Sequence, residues 1–329
     1  MIFWKTDRLY CGGECKVLID TKTSKVFRGI AILMVIASHY AGWMYTESFN
    51  ESLRVWISTW GVYGVDIFFL LSGYGLVKSY QKSGINKGFV IKRIMNSYVP
   101  YILIAGFLAV LDKHIDSAGA FIKLLIGYDY WFMCVLFALY IMFMLFYRFG
   151  GRAKEILLTL GVIGFSYWLY NKPEFQDFWF LSNGAFLLGV YGATLESKLG
   201  DILKSAIIKS NLAFISFAVM VICAFWHVFG GALIAHLCAS LMFTLMTMGL
   251  CVQIKGEGFV LPTLGTYSLY VYLVHTRLFW KFVAYKESWS YFMGVVLAGL
   301  ITLVFAVVLG FLIEFCLGKV TKLLIGKKK

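Results

Sequence analysis

The sequence predicts an all-α, polytopic integral membrane protein with about ten transmembrane helices and both termini in the cytoplasm. Hydrophobic residues make up 60% of the 329 residues and charged residues only 14%, whereas soluble domains carry about 25% charged residues. Apolar runs long enough to cross a bilayer recur along nearly the whole chain. These runs are continuous and do not alternate, which favours helices over a β-barrel as the structure that satisfies the backbone in lipid.

The predicted spans are apolar runs separated by charged or glycine-containing segments. The first run follows a charged leader without a small-residue cleavage site, so we expect an uncleaved signal anchor. In chain order the spans are predicted at about 26–45, 60–78, 97–112, 130–147, 155–171, 178–195, 211–229, 231–252, 263–281 and 290–316. The chain then divides into a basic cytoplasmic tail over 1–25, a transmembrane domain over 26–316 and a basic cytoplasmic tail over 317–329.

The distribution of basic residues predicts the orientation. With a cytoplasmic amino-terminal tail, 23 of the 30 Lys and Arg residues lie in or next to cytoplasmic segments and 7 lie elsewhere, as the positive-inside rule requires. The net charge of +13 then reflects this orientation and contact with anionic lipid headgroups, and it does not indicate nucleic-acid binding. We expect a multi-pass protein of the plasma or inner membrane, with membrane lipids as partners. No feature of the pattern specifies an oligomeric state.

Cysteines and histidines give no sign of a metal centre. The seven cysteines form no disulfide framework, and Cys11 and Cys15 have C-x3-C spacing without a nearby histidine, which favours reduced thiols. The five histidines are scattered, and no zinc-protease, nucleotide-binding or hydrolase motif is present. We therefore expect neither a metal nor a cofactor.

Arg28 and His39 lie eleven residues apart on one apolar run. Eleven helical residues rise about 16 Å, about half of the hydrocarbon core, and eleven steps of about 100° return to nearly the same face. An ionisable side chain at the depth of His39 is costly, so it indicates a functional site. A ligand that lies along this face could contact both residues.

Asp66 lies well inside the second predicted span, about as far from its outer end as His39 is from the outer end of the first span. The short outer loop makes these spans antiparallel neighbours, so the sequence predicts that Asp66 pairs with His39. A carboxylate beside an imidazole orients it and raises its basicity, as a general base requires. The alternative is a structural pair that neutralises a buried charge.

Arg93, just before an aromatic run at the membrane surface, is the strongest candidate in the basic loop 78–97 for binding a phosphate. Trp131 opens the fourth span and is also typical of an aromatic belt. His275 is a second histidine deep in a span. Intramembrane Arg, His and Asp also occur in transporters and exporters, although the sequence shows no repeat halves or paired broken helices.

Four short blocks with these residues occur in order along the chain. They are Arg28 with His39, Gly64–Asp66 with Phe68–Tyr74, Trp131–Met133, and Leu264–Gly265 with Ser268, Tyr272–Leu273 and His275. Together with the ten spans, they resemble the membrane acyltransferase-3 family, whose members O-acylate bacterial surface polysaccharides and Nod-type glycolipids. The resemblance covers about residues 25–316. One position departs from the family, since its usual R-x-x-R before the third span is Arg93 and Asn96 here.

The resemblance implies transfer of an acyl group, acetyl in the first instance, from cytoplasmic acyl-CoA to a glycan or glycolipid acceptor. Acyl-CoA is then a co-substrate. Its phosphates are expected at Arg28 and Arg93, with Lys92 supplying a further charge next to Arg93. His39 would act as general base or accept the acyl group briefly, and Asp66 would orient it.

The resemblance also implies a passage for the substrates through the transmembrane domain. Its expected lining residues are Ser72, Tyr74, Trp131 and His275.

Overall fold

The structure is a computed structural model that describes residues 18–43, 51–196, 198, 206–231, 233–254, 256–283 and 291–325. Every regular element in these residues is helical, in agreement with the predicted class. The main helices are α1 Thr21–Trp43, α2 Glu51–Ser58, α3 Trp60–Ser83, α4 Lys87–Arg93, α5 Val99–Leu111, α6 Ala118–Ile126, α7 Trp131–Phe149, α8 Lys154–Tyr170, α9 Asn183–Thr194, α10 Ala206–Gly230, α11 Leu233–Gln253, α12 Val260–Thr266, α13 Ser268–Val283 and α14 Tyr291–Ile325. A π-helical turn, Ile94–Tyr98, joins α4 to α5.

Six stretches of the described residues are long and apolar enough to cross a membrane. They are Leu53–Ser83, Lys87–Leu111, Trp131–Phe149, Ser210–His227, Leu233–Gln253 and Val296–Thr321. The α-helix in the predicted run 178–195 is the 12-residue α9, whose length of about 18 Å is short of a hydrocarbon core of about 30 Å. The count of ten spans and the cytoplasmic placement of both termini remain predictions; residues 1–17 and 326–329 lie outside the described residues.

Apolar side chains on α10 and α14 face outward. Phe214 and Ile222 on α10 are 71% and 67% exposed, and Val304 and Phe311 on α14 are 64% and 56% exposed. Large contiguous apolar patches are rare on the surface of soluble proteins. These two helices therefore present a surface suited to lipid.

Glycines bring α1 against α12 at backbone distance. A side chain at Gly29 would collide with the carbonyl of Leu261, and one at Gly265 would collide with the carbonyl of Lys25. Small residues at a helix crossing permit this close approach, which is a common way to pack helices in membranes. The contact fixes the amino-terminal half of α1, where Arg28 lies.

At the crossing of α3 and α9, a glycine on each helix lies against the backbone of the other helix. Gly73 of α3 lies against the carbonyl of Phe186, and Gly189 of α9 lies against the carbonyl of Leu70. All four residues are buried. The shortness of α9 is thus accompanied by deep packing against α3, which carries Asp66.

Two helices occur where the sequence predicted only outer loops. In α2, Trp56 is 59% exposed. In α6, the Ser117 hydroxyl accepts a hydrogen bond of 3.1 Å from the Ala120 N–H at the start, and Gly127, with φ of 82°, ends the helix. The Ser117 hydrogen bond and the left-handed Gly127 are ordinary caps for the two ends of α6.

Candidate active site

His39 on α1 contacts His275 on α13. The Nδ1 atom of His39 lies 2.6 Å from the Nε2 atom of His275, and the two rings are nearly parallel, with an angle of 4° and centroids 4.9 Å apart. His275 is only 1% exposed, and its Nδ1 atom lies 2.6 Å from the carbonyl oxygen of Tyr272. Two candidate residues that the sequence placed in separate roles therefore form one pair.

Asp66, which the sequence predicted as the partner of His39, has a different partner. The Ser240 hydroxyl on α11 donates a 2.7 Å hydrogen bond to its Oδ1 atom, and Asp66 is fully buried. Its Oδ2 atom has no hydrogen-bond partner among the described residues. Sequence reasoning missed Ser240, because a lone serine in an apolar helix carries no signal of its own.

The packing of α1 against α3 explains why the predicted pair does not form. Gly61 lies against Ser38, and Gly64 lies against Val35, so the helices are antiparallel and Asp66 is roughly six residues, or about 9 Å, deeper than His39. Asp66 is also about 200° around α3 from Gly64. Its side chain therefore points away from α1 and toward α11.

Aromatic rings join the histidine pair to the second and third sequence blocks. The ring of Tyr272 lies 5.8 Å from that of His275 and 5.1 Å from that of Phe132, and Phe132 stacks on Phe69 at 5.3 Å. All four sequence blocks thus meet around one cluster.

Trp131, a predicted lining residue of the passage, lies beside this cluster. It is half-buried, and its ring contacts Phe178 at 4.9 Å. The structure therefore places Trp131 among other aromatic rings at the start of α7.

Two arginines form the other end of the candidate site. Arg28 on α1 and Arg93 at the end of α4 lie near each other, and both lie near Tyr140 on α7. The Arg93 guanidinium lies 4.6 Å from the centre of the Phe89 ring. Among the described residues, no carboxylate forms an ion pair with either arginine. Two neighbouring cations without an acid suit the binding of an anion.

The π-helical turn explains the position of Asn96. An α-helix would bond the Asn96 carbonyl to the N–H of residue 100, but that residue is proline and has no N–H. The chain widens instead, and the Val99 N–H donates to the Ile94 carbonyl. Asn96 is exposed, whereas Arg93 is half-buried, so the two positions of the R-x-x-R spacing do not face the same surroundings. Lys92, the adjacent cation, is half-buried.

Tyr74 and Ser72 differ in their surroundings. Tyr74 is buried and donates a hydrogen bond to Glu196, while its hydroxyl oxygen accepts one of 3.2 Å from the Ile19 N–H. Lys78 forms a 2.5 Å ion pair with the same Glu196. The Tyr74 hydroxyl is therefore engaged in anchoring the segment before α1. Ser72 is half-buried on α3.

Two further histidines contact each other elsewhere in the structure. The rings of His227 and His236 are 4.2 Å apart near the turn between α10 and α11. No group of three or more metal-ligating side chains occurs in the described part of the chain. Cys11 and Cys15, predicted as reduced thiols, lie outside the described residues.

Comparison with known proteins identifies the family. The family model described as "Acyltransferase domain", that of the acyltransferase-3 family, matches residues 24–313. No curated protein and no solved structure is similar enough to this chain to give a further match. The family match spans most of the chain, including both arginines, the histidine pair and all four sequence blocks, and the chain therefore belongs to the acyltransferase-3 family.

Proposed function

We propose that this protein transfers an acyl group, acetyl in the simplest case, from cytoplasmic acyl-CoA to a hydroxyl group of a surface or lipid-linked glycan. One observation carries the proposal. Helix α1 carries one member of each of two pairs: Arg28 of the arginine pair, which has no acidic partner among the described residues, and His39 of the hydrogen-bonded histidine pair. Arg28 and His39 are separated along it by about 16 Å.

The arginine end suits the donor. Acyl-CoA carries its phosphates at the nucleotide end and its thioester at the end of a long pantetheine arm. Phosphates are bound well by arginine, whose planar guanidinium can donate two parallel hydrogen bonds. With phosphates at Arg28 and Arg93, and Lys92 next to them, the extended arm would reach toward His39.

The histidine end suits proton transfer from the acceptor. His39 would take the proton of the acceptor hydroxyl while the hydroxyl oxygen attacks the thioester carbonyl carbon. The new C–O bond forms, the C–S bond breaks, and the proton passes from His39 to the sulfur of CoA. The reaction needs no cofactor besides acyl-CoA as co-substrate.

A covalent route uses the same residues. His39 would attack the thioester, release CoA and hold the acyl group until the acceptor hydroxyl takes it. Incubation with radiolabelled acetyl-CoA in the absence of acceptor distinguishes the routes. Label on a peptide that contains His39 supports the covalent route, and its absence in an active preparation supports direct transfer.

Mass spectrometry of surface glycans tests the function. Glycans from cells with the gene should carry one acyl mass per modified sugar, and glycans from cells without the gene should lack it. Cells that carry only His39→Ala should resemble the cells without the gene, since loss of a general base costs about 10²–10⁴-fold in rate. Immunoblots of membranes control for expression of the variant. More than about a tenth of normal acylation in this variant would contradict the role of His39.

The same experiment addresses the exporter alternative. A protein that only moves a glycan would change the amount of surface glycan and leave its acylation per sugar unchanged. That result would overturn the proposed transfer.

A further inference from the structure

We infer that His275 is a positioning residue that holds His39 in the tautomer whose basic atom is Nε2, a task for which sequence reasoning selected the carboxylate of Asp66. The inference rests on the proposed function, and it names the atom at which the proton of the acceptor would be taken. It follows from two hydrogen bonds in series, which link the Tyr272 carbonyl to His275 and His275 to His39.

The first hydrogen bond fixes the proton on His275. A carbonyl oxygen can only accept, so the Nδ1 atom of His275, at 2.6 Å from the Tyr272 oxygen, must carry the hydrogen. A neutral imidazole has only one N–H group. The Nε2 atom of neutral His275 therefore has a lone pair and is an acceptor.

The second hydrogen bond fixes the proton on His39. The Nδ1 atom of His39 lies 2.6 Å from the accepting Nε2 atom of His275, so it must be the donor. In neutral His39 the lone pair then lies on Nε2. Neutral His39 and neutral His275 both adopt the Nδ1–H tautomer, and this common tautomer is the distinctive consequence of the geometry.

The surroundings hold His275 in place for this task. Tyr272 is three residues earlier on the same helix, α13, so the first hydrogen bond is local and orients the ring without any distant contact. His275 is 1% exposed, and Phe132 on α7 packs 5.1 Å from the Tyr272 ring. The second hydrogen bond and the nearly parallel rings then orient His39.

During transfer the chain of hydrogen bonds would stay intact. The Nε2 atom of His39 takes the proton of the acceptor hydroxyl and becomes part of an imidazolium ion, whose Nδ1–H continues to donate to His275. The acceptor oxygen bonds to the acyl carbon, the C–S bond breaks, and the Nε2 proton goes to the CoA sulfur. Because His275 is neutral, it stabilises the imidazolium less than a carboxylate would, so its removal should cost less than the loss of His39.

A spectroscopic measurement tests the tautomer directly. Nitrogen NMR of the purified full chain, labelled with ¹⁵N-histidine and reconstituted in lipid, distinguishes Nδ1–H from Nε2–H imidazoles. Spectra of His39→Gln and His275→Gln variants assign the two signals. We expect both residues as Nδ1–H tautomers at a pH where they are neutral. An Nε2–H tautomer at His39 would overturn the inference.

Kinetics test the positioning role. With acetyl-CoA and the acceptor found by glycan analysis, His275→Leu should lower kcat by about 10–100-fold, the cost known for residues that orient metal-bound histidines, and leave the KM for acetyl-CoA unchanged. His275→Gln retains an accepting oxygen for His39 and should recover most of that loss. His236→Gln, which changes a histidine outside the pair, should behave as wild type. Equal losses in the Leu and Gln variants would contradict positioning through the hydrogen bond.

The two proposals fail in different ways. A wild-type protein that shows both Nδ1–H tautomers and transfers no acyl group would overturn the proposed function and leave the hydrogen-bond assignment standing. An active wild-type protein with the other tautomer would overturn only the role of His275.

Discussion

Arg93 and Arg28 lie near each other, although they come from the end of α4 and the amino-terminal half of α1. If this pair binds the CoA phosphates, Arg93→Ala should raise the KM for acetyl-CoA by about tenfold or more with little change in kcat, because the phosphates are far from the reacting carbonyl. Asn96→Arg should leave KM unchanged, since Asn96 is exposed. Steady-state kinetics in proteoliposomes measure both, and an unchanged KM in Arg93→Ala would exclude this pair as the donor site.

Arg28 can be tested by the kind of cation it supplies. Arg28→Lys should retain more donor binding than Arg28→Ala if the contact is mainly one of charge, because lysine keeps the charge and loses only the forked geometry. Binding of acetyl-CoA to the purified protein by calorimetry compares the variants. Equal losses of affinity in the two variants would indicate that Arg28 contacts the phosphate through two parallel hydrogen bonds. If both variants bind acetyl-CoA as wild type does, Arg28 contributes only to the orientation of the chain in the membrane.

Asp66 should prove less important for the chemical step than His39. Asp66→Asn keeps an oxygen that can accept the Ser240 hydrogen bond, so we expect kcat to fall by less than about tenfold, compared with at least about 100-fold for His39→Ala. Thermal unfolding in detergent reports any loss of packing separately. A loss of activity as large as that of His39→Ala, with unchanged stability, would restore Asp66 to the catalytic role predicted from sequence.

The α3–α9 crossing predicts a large difference between two glycines on one helix. A methyl group at Gly73 would collide with the Phe186 carbonyl, whereas one at Gly75 would meet nothing within 4 Å. Gly73→Ala should therefore destabilise the protein by about 1–3 kcal/mol, the usual cost of overpacking, and Gly75→Ala should be neutral or slightly stabilising. Unfolding temperatures in detergent compare them, and equal values would mean that the two helices can separate without cost.

Local patterns were sufficient for part of the site. Arg28 and His39 share a single helix in the structure, as their spacing in an apolar run predicted, because both the helix and its periodicity are set by neighbouring residues. The family resemblance implied a substrate passage lined by Ser72, Tyr74, Trp131 and His275, which stays a prediction. The all-helical architecture follows from composition in the same way.

Long-range packing decided what the sequence could not predict. The partner of His39 is 236 residues away, and no local signal favours His275 over Asp66. Equal distance from helix ends suggested equal depth, but the Gly61–Ser38 contact sets a different register. The sequence did not predict the contacts of Glu196 with Tyr74 and Lys78. They form because the end of α9 lies beside α3, and this depends on the packing of the two helices.

The widened turn before Pro100 has a consequence for how this family is compared by sequence. One extra residue in that turn shifts the angular phase of α5 relative to α4 by about 100°. A spacing that crosses the turn therefore does not report which residues share a face, and Asn96 need not be a lost ligand. The sequences of α4 and α5 can therefore each suit the residues that pack against that helix. Arg93 of α4 is half-buried, and Tyr101 of α5 is fully buried. Insertion or deletion of a single residue in Ile94–Tyr98 would convert one turn type into another and redirect an entire helix face.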